Sequence, residues 1–198
     1  NFTGANAEAL AVAVFKGEKA GSGLLGELNK LTGGALAAVL KSEDFKGEKG
    51  ETALLRFAPK GKVKARSLML VGVGNKADYT HADVGVAAGA ATRYLRTRNN
   101  KSFAFLPRYD GDVVIAAQNA AQGFVTSQFE LDKYKTKDKK DKSVNKLVLC
   151  IDGATASDLK NGLNRGQVVG ESMNFTRDLA NEPPNILTPT EMANRAQS

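Results

Sequence analysis

The chain has 198 residues, of which 42% are hydrophobic and 25% are charged, a composition typical of one globular domain with a short extension. No apolar run approaches the roughly 18 residues of a membrane-spanning helix, and a single cysteine excludes an internal disulfide framework. These features predict a cytoplasmic protein with no membrane partner. The formal net charge of +7 permits an anionic partner, so the position of the charge matters.

Apolar runs that suit buried strands alternate with segments of helical periodicity along the first 181 residues. Strands are predicted over 9–15, 51–57, 67–73, 102–106 and 145–151. Helices are predicted over 24–31, 35–40, 80–98, 112–128 and 155–181. Thr80 with Asp83, and Thr155 with Asp158, have the spacing of residues that cap a helix amino terminus.

The alternation of strands and helices predicts the fold class. Three β–α–β passages in succession favour right-handed crossovers and a mostly parallel sheet with helices on both faces. The strands read as continuous apolar runs because strands of such a sheet are buried on both sides. We therefore predict an α/β protein with three α/β/α layers.

The last quarter of the chain predicts a hinge followed by a new helix. The long helix should end near Asn181, because Pro183 and Pro184 cannot continue it. Thr188 and Glu191 have capping spacing, with Pro189 at the first helical position. We expect a domain over 1–153, a linker helix and hinge over 154–187, and the start of a truncated second domain over 188–198.

Two segments of this sequence resemble the leucyl aminopeptidases, which are the M17-type cytosol aminopeptidases. The first reads Thr176-Arg177-Asp178-Leu179, Asn181-x-Pro183-x-Asn185 and Leu187-Thr188-Pro189. The second reads Gly123-Phe124, then Phe129-x-x-Asp132-x-Tyr134-Lys135-Thr136-Lys137. In that family the first segment links an amino-terminal domain to a di-metal catalytic domain.

The resemblance implies a macro-domain-like fold for this chain and a function for its parent protein. The parent would release amino-terminal residues, leucine preferred, from peptides, with two divalent ions (zinc, manganese or magnesium) as cofactors. It would form a homo-hexamer in which this domain serves assembly and substrate access. The family's metal-binding motifs do not occur in this sequence, so the chain alone is predicted to be inactive and no catalytic or metal residue is assigned.

The resemblance assigns a structural role to a set of residues in the linker, for folding and domain placement rather than catalysis. Asn side chains beside prolines commonly bond the backbone groups that a helix end leaves free. The set is Arg177, Asp178, Asn181, Pro183, Asn185, Thr188 and Pro189.

Other catalytic designs find little support in the residues. The single histidine, His81, falls just inside the helix start at Thr80 and is interpreted as a surface residue. Cys150 ends an apolar strand and is interpreted as a small core residue. Asp110 and Asp112 stand at a helix start, where carboxylates bond free amides, and are interpreted as capping residues rather than metal ligands.

A glycine motif leaves a second function open. Gly72 and Gly74 follow a strand and fit the dinucleotide fingerprint, which makes them weak candidates for cofactor binding. The next helix begins only at Thr80, and residues 92–98 contain no acid for a ribose, so a tight turn is favoured. The alternative function is a free-standing macro-like module that binds a nucleotide or ADP-ribose.

A basic loop leaves a third function open. Residues 133–146 contain seven lysines and two aspartates, and the rest of the chain is nearly neutral in sum. Such a loop usually serves as a solvated connection. The alternative is contact with DNA phosphates. The lysines concerned are Lys133, Lys135, Lys137, Lys139, Lys140 and Lys142.

Overall fold

The structure is a computed structural model that describes residues 2–42, 44–59, 61–137 and 141–197. Five strands form one sheet in the order β2-β3-β1-β4-β5. The strands are β1 Ala9–Val14, β2 Thr52–Arg56, β3 Ser67–Gly72, β4 Ser102–Leu106 and β5 Lys146–Leu149. The helices are α1 Gly23–Leu31, α2 Ala35–Lys41, α3 His81–Thr97, α4 Val113–Thr126, α5 Ala156–Ala180 and α6 Pro189–Gln197.

The sheet is parallel except at one edge. β1 lies at its centre and pairs in parallel with β3 and β4, and β4 pairs in parallel with β5. Every residue of β1 and β3 is buried, as expected for strands covered on both faces. The edge strand β2 runs antiparallel to β3, a reversal that the apolar pattern did not predict. The predicted mostly parallel α/β fold is confirmed.

Two apolar cores fill the space on either side of the sheet. One lies between the sheet and α3, α4 and α5, and includes Ala11, Phe103 and Leu95. The other lies between the sheet and α1 and α2, and includes Leu10 and Leu28. This arrangement confirms the three predicted layers. The macro-domain likeness and the division at residues 153 and 187 stay predictions.

Capping residues set three of the helix starts, as the sequence predicts. Thr80 N donates to Asp83 Oδ2 at 2.9 Å, Ile115 N donates to Asp112 Oδ1 at 3.0 Å, and Asp158 N donates to Thr155 Oγ1 at 3.1 Å. The capping role predicted for Asp110 is wrong, because its carboxylate lies 3.1 Å from Lys76 Nζ in an exposed ion pair.

The helices of the α3–α4–α5 layer approach each other closely at glycines. In α5, three glycines at four-residue spacing face α4 and are buried: Gly162, Gly166 and Gly170. We call this contact the glycine seam. A Cβ atom on Gly166 would lie 2.1 Å from Gln118 O, so no larger residue fits there without moving a backbone. No helix within the described residues is long and apolar enough to cross a membrane.

Candidate functional site

A buried carboxylate connects three segments at the end of the long helix α5. The Glu182 side chain is only 1% exposed and accepts hydrogen bonds from Lys133 Nζ, Tyr134 Oη and Arg195 Nη1, the last at 3.0 Å. Lys133 and Tyr134 belong to the loop after α4, and Arg195 lies on α6. This group, which we call the Glu182 clamp, therefore ties α6 and the loop to the hinge.

The electrostatics of the Glu182 clamp favour a permanently ionised carboxylate. Hydrogen bonds from Lys133 and then from Tyr134 lower the pKa of Glu182 to about 2, against the opposing effect of desolvation. The same contact with Glu182 raises the pKa of Lys133. A carboxylate whose pKa lies this far below neutrality does not exchange protons in a reaction near pH 7. The clamp is suited to holding segments in place.

The carboxyl-terminal half of α5 is fixed to the end of α4 by side chains that reach its backbone. Arg177 Nη1 donates to Thr126 O at 2.9 Å, and the guanidinium lies 5.7 Å from the centre of the Phe129 ring. Asn174 Nδ2 donates to Val125 O at 3.1 Å. Both acceptors are carbonyl groups of the last turn of α4, and Val125 O also accepts from the Gln128 amide at 3.2 Å.

The hinge between α5 and α6 satisfies its own backbone. Asn181 Nδ2 donates to Arg177 O at 2.7 Å, and Pro183 O accepts from the amides of Ile186 and Leu187, each at 2.9 Å. Thr188 Oγ1 accepts from the Glu191 amide at 3.3 Å.

Three members of the predicted linker set lie outside these contacts. Pro189 opens α6, and Asp178 and Asn185 are exposed. Their structural role stays a prediction.

Gly72 and Gly74 lie against the loop at 47–51. The Gly72 amide donates to Glu51 O and the Gly74 amide donates to Gly47 O, both at 2.8 Å. A Cβ atom on Gly72 would lie 2.1 Å from Glu48 O. The two amides that a pyrophosphate would need are thus already bonded within the chain. Close backbone packing explains Gly72, and a φ of +77° explains Gly74.

The structure separates the members of the predicted basic loop. Lys133, Lys135, Lys137 and Lys142 are all exposed, and Lys133 is in addition bonded to Glu182. Lys139 and Lys140 lie outside the described residues. The loop returns to the domain where Lys101 Nζ contacts Asp141 Oδ2 at 3.5 Å.

Possible metal ligands do not gather in the part of the chain that the structure describes. Within residues 2–42, 44–59, 61–137 and 141–197, no group of three or more His, Cys, Asp or Glu side chains could hold a metal ion. His81 is exposed at the first position of α3. Cys150 is half-buried against the α1–α2 core, and this burial raises the pKa of its thiol.

Comparison with known proteins gives one consistent family. Residues 11–138, well over half of the chain, match the amino-terminal domain of the cytosol aminopeptidase family. The chain belongs to this family. It is 40% identical over 166 residues to a probable cytosol aminopeptidase of Acidobacterium capsulatum, and 32% identical over 191 residues to one of Solibacter usitatus. These matches cover 82% and 96% of the chain, but only 32% and 36% of the two relatives.

Solved structures of other proteins show the same fold. A mutant of tomato leucine aminopeptidase superposes with a TM-score of 0.81 at 23% identity, over 96% of this chain and 38% of that one. The bottromycin maturation enzyme BotP in complex with Mn superposes with a TM-score of 0.66 at 19% identity, over 96% of this chain and 35% of that one. The family of the chain and its α/β fold therefore agree with the resemblance found in the sequence.

Sequence reasoning missed two features of this cytosol aminopeptidase domain. The glycine seam had a visible signal, since Gly162, Gly166 and Gly170 repeat every fourth residue and so lie on one side of a helix. Glu182 had none, because its partners Lys133 and Tyr134 stand 49 and 48 residues away in the sequence.

Proposed function

We propose that the chain is the non-catalytic amino-terminal domain of a di-metal leucyl aminopeptidase, which releases amino-terminal residues, leucine preferred, from peptides. The match of residues 11–138 to this domain of the family carries the proposal. The relatives named above are called cytosol aminopeptidases, and the chain spans about a third of their length. Peptide hydrolysis is therefore proposed for the parent protein.

The proposal places the metal chemistry in another part of the parent protein. Two divalent ions, zinc, manganese or magnesium, would activate a water molecule and polarise the scissile carbonyl. The described residues offer no cluster of ligands for such ions. The complex of BotP with Mn is compatible with a metal site in a fold relative.

We propose that the domain serves the assembly of a homo-hexamer and access of substrate to it. An exposed apolar surface on α5 supports a contact role. Val168 is 64% exposed and Phe175 is 46% exposed, and helical geometry places both roughly opposite the glycine seam. We call these two residues the outer face of α5. Large apolar side chains exposed together are typical of interaction surfaces.

A metal-dependent peptidase assay tests the proposal. The purified chain and the full product of its gene are each assayed with leucine p-nitroanilide in the presence of manganese, zinc or magnesium. We expect hydrolysis by the gene product if it includes the catalytic domain, and none by residues 1–198 with any of the three metals. Metal-dependent hydrolysis by residues 1–198 alone would contradict the proposed division of labour.

A further inference from the structure

A concave basic surface lies at the edge of the sheet where the parallel strands begin. It has a volume of about 700 Å³ and is lined by five cationic side chains and one carboxylate, Glu8. The cations are Arg56, Lys64, Arg66, Arg98 and Lys146. We call this surface the amino-edge groove. Lys146, the last residue of the basic loop, is the one cation of this set that belongs to that loop.

The fold brings these cations together from distant positions in the sequence. Arg56 ends the antiparallel strand β2 and pairs with Ser67, the first residue of β3. At the other end of the groove, Lys146 begins β5 and pairs with Ser102 of β4. Arg98 follows α3, and its guanidinium is held 5.2 Å from the centre of the Tyr94 ring. The cations therefore line one edge across the whole width of the sheet.

The extended segment before β3 shows a local pattern that turns two cations outward. Val63 and Ala65 are buried, whereas Lys64 and Arg66 between and after them are exposed. This is the two-residue alternation of an extended chain. The Arg66 amide donates to Glu8 O at 3.0 Å, which fixes the segment beside the start of β1.

The cations of the amino-edge groove have no acidic partners in the part of the chain that the structure describes. Among the described residues, no carboxylate forms a salt bridge with any of the five. Glu8 Oε2 accepts instead from the Lys101 amide at 2.8 Å. At the opposite edge of the sheet, Arg108 lines a concavity of about 680 Å³ but is paired with Glu18 through both of its terminal nitrogens.

Like charges that line one concave surface without counter-charges repel each other, and a bound anion relieves that repulsion. Arginine side chains bind phosphoryl groups through two parallel hydrogen bonds, and lysines add point charges. A volume of this size is that of a small-molecule site. The described residues of the lining include no aromatic side chain on which a nucleic acid base could stack, so the groove offers ionic contacts to phosphates and no stacking contact to a base.

We propose that the amino-edge groove binds a compact oligophosphate, an anion with three or more linked phosphoryl groups. The triphosphate is the recognised chemistry, whether it occurs as inorganic tripolyphosphate or as part of a nucleoside triphosphate. The site is distinct from the Glu182 clamp and from the Gly72–Gly74 turn, and it does not depend on peptidase activity.

Calorimetric titration of the full gene product with tripolyphosphate, in buffer free of divalent ions, tests the proposal. We expect saturable binding that weakens as salt rises from 50 to about 200 mM, because the contacts are ionic. Absence of binding up to about 1 mM ligand, where the affinity falls below the specific range, would overturn the proposal.

Charge-matched variants locate the site. The double substitution Lys64→Gln, Arg66→Gln should weaken tripolyphosphate binding about tenfold or more, as expected for the loss of two charge-assisted contacts. The control Lys30→Gln, Lys160→Gln removes the same charge from exposed positions on α1 and α5 and should change binding less than twofold. Lys146→Gln provides an independent test at the other end of the groove. Equal binding by groove and control variants would overturn the proposal.

Two further ligands identify the source of the phosphates. ATP that binds about as tightly as tripolyphosphate supports recognition of the triphosphate group, and ATP that binds about tenfold more tightly supports a nucleoside triphosphate. A short DNA duplex is the third ligand. Duplex binding that depends on Lys64 and Arg66, without tripolyphosphate binding, would overturn the proposal in favour of a nucleic acid backbone.

Discussion

The helix α5 is held in two physically different ways along its length. Its middle part is fixed by shape, since a Cβ atom on Gly162, Gly166 or Gly170 would lie within 2.8 Å of an atom of α4. Its end and the following α6 are fixed by charge, through Arg177 and the Glu182 clamp. Contacts fixed by shape are insensitive to pH and salt, whereas those of ionised groups depend on both.

The two kinds of contact make one part of the domain rigid and leave another part sensitive to pH and salt. Close packing at the glycine seam is lost only if the backbone of α4 or α5 moves. The seam therefore holds α5 rigidly against the rest of the domain. The segment after Asn181 is joined to the loop after α4 by the Glu182 carboxylate, whose donors are Lys133, Tyr134 and Arg195. In the proposed parent protein, this segment leads to the catalytic domain, so the Glu182 clamp would set the direction of the connection.

The largest effect is expected from a methyl group in the glycine seam. Gly166→Ala places a Cβ atom 2.1 Å from Gln118 O and 2.7 Å from Ala121 Cβ, and such overpacking costs about 3 kcal/mol of the free energy of unfolding. Urea denaturation measures it. Gly21→Ala is the control, because its Cβ meets nothing within 4 Å, and should change stability by less than about 0.5 kcal/mol. Equal effects of the two substitutions would contradict the seam.

A smaller loss of stability is expected at Arg177, where charged contacts rather than the glycine seam hold α5. Arg177→Ala removes the donor to Thr126 O and the contact with Phe129, which should cost about 1–2 kcal/mol of unfolding free energy. Arg165→Ala, at an exposed position on the same helix, is the matched control and should be nearly neutral in the same urea titration. A neutral Arg177→Ala would show that the bond to α4 does not stabilise the fold.

The Glu182 clamp should appear as a pH dependence of stability. The pKa of Glu182 is about 2 in the folded protein and near its ordinary value of 4.5 in the unfolded chain. A lowered folded pKa stabilises the protein above the unfolded pKa, and this contribution is lost as the pH falls from about 4.5 to about 2. The melting temperature of the wild type should therefore fall more steeply over this range than that of Glu182→Gln.

The control for this pH dependence is Glu171→Gln, an exposed carboxylate on α5 whose partner is the neutral Gln167. Its melting temperature should follow the wild type between pH 5 and pH 2. If the melting temperature of Glu182→Gln also follows that of the wild type, ionisation of Glu182 contributes nothing to the stability of the fold.

The smallest effect on stability is expected on the outer face of α5. Val168→Asp changes an exposed side chain, so the unfolding free energy should change by less than about 0.5 kcal/mol. The proposed assembly should nevertheless weaken, because a charge at an apolar contact must be desolvated. Sedimentation velocity of the gene product measures this, with Lys30→Gln as a control of equal charge change. Unchanged assembly would remove this face from the contact.

The sequence predicted most of the fold because its signals are local. Apolar runs such as Ala9–Val14 and caps such as Thr80 with Asp83 act within a few residues. The antiparallel direction of β2 is set by its register with β3, from Thr52 opposite Val71 to Arg56 opposite Ser67, and no local pattern encodes it. The ends of strands also differ from the predicted ones. The strand β5 ends at Leu149, although the Cys150 amide still donates to Phe105 O.

The candidate sites were harder to predict because their residues come from separate segments. The chain outside the basic loop is nearly neutral in sum, yet the fold collects Arg56, Arg66 and Arg98 from it at one edge of the sheet. Charge totals along the sequence do not show such a gathering. The alternation of Val63, Lys64, Ala65 and Arg66 is a local signal for two cations of the amino-edge groove, but no prediction was drawn from it.

Hydrogen exchange tests the central comparison most directly. We expect the amides of residues 162–173, held by the glycine seam, to exchange about 100-fold more slowly than those of residues 190–197. Glu182→Gln should accelerate exchange only in the second group. Equal exchange in the two groups, or acceleration throughout α5 in Glu182→Gln, would contradict the separation between a part fixed by shape and a part fixed by charge.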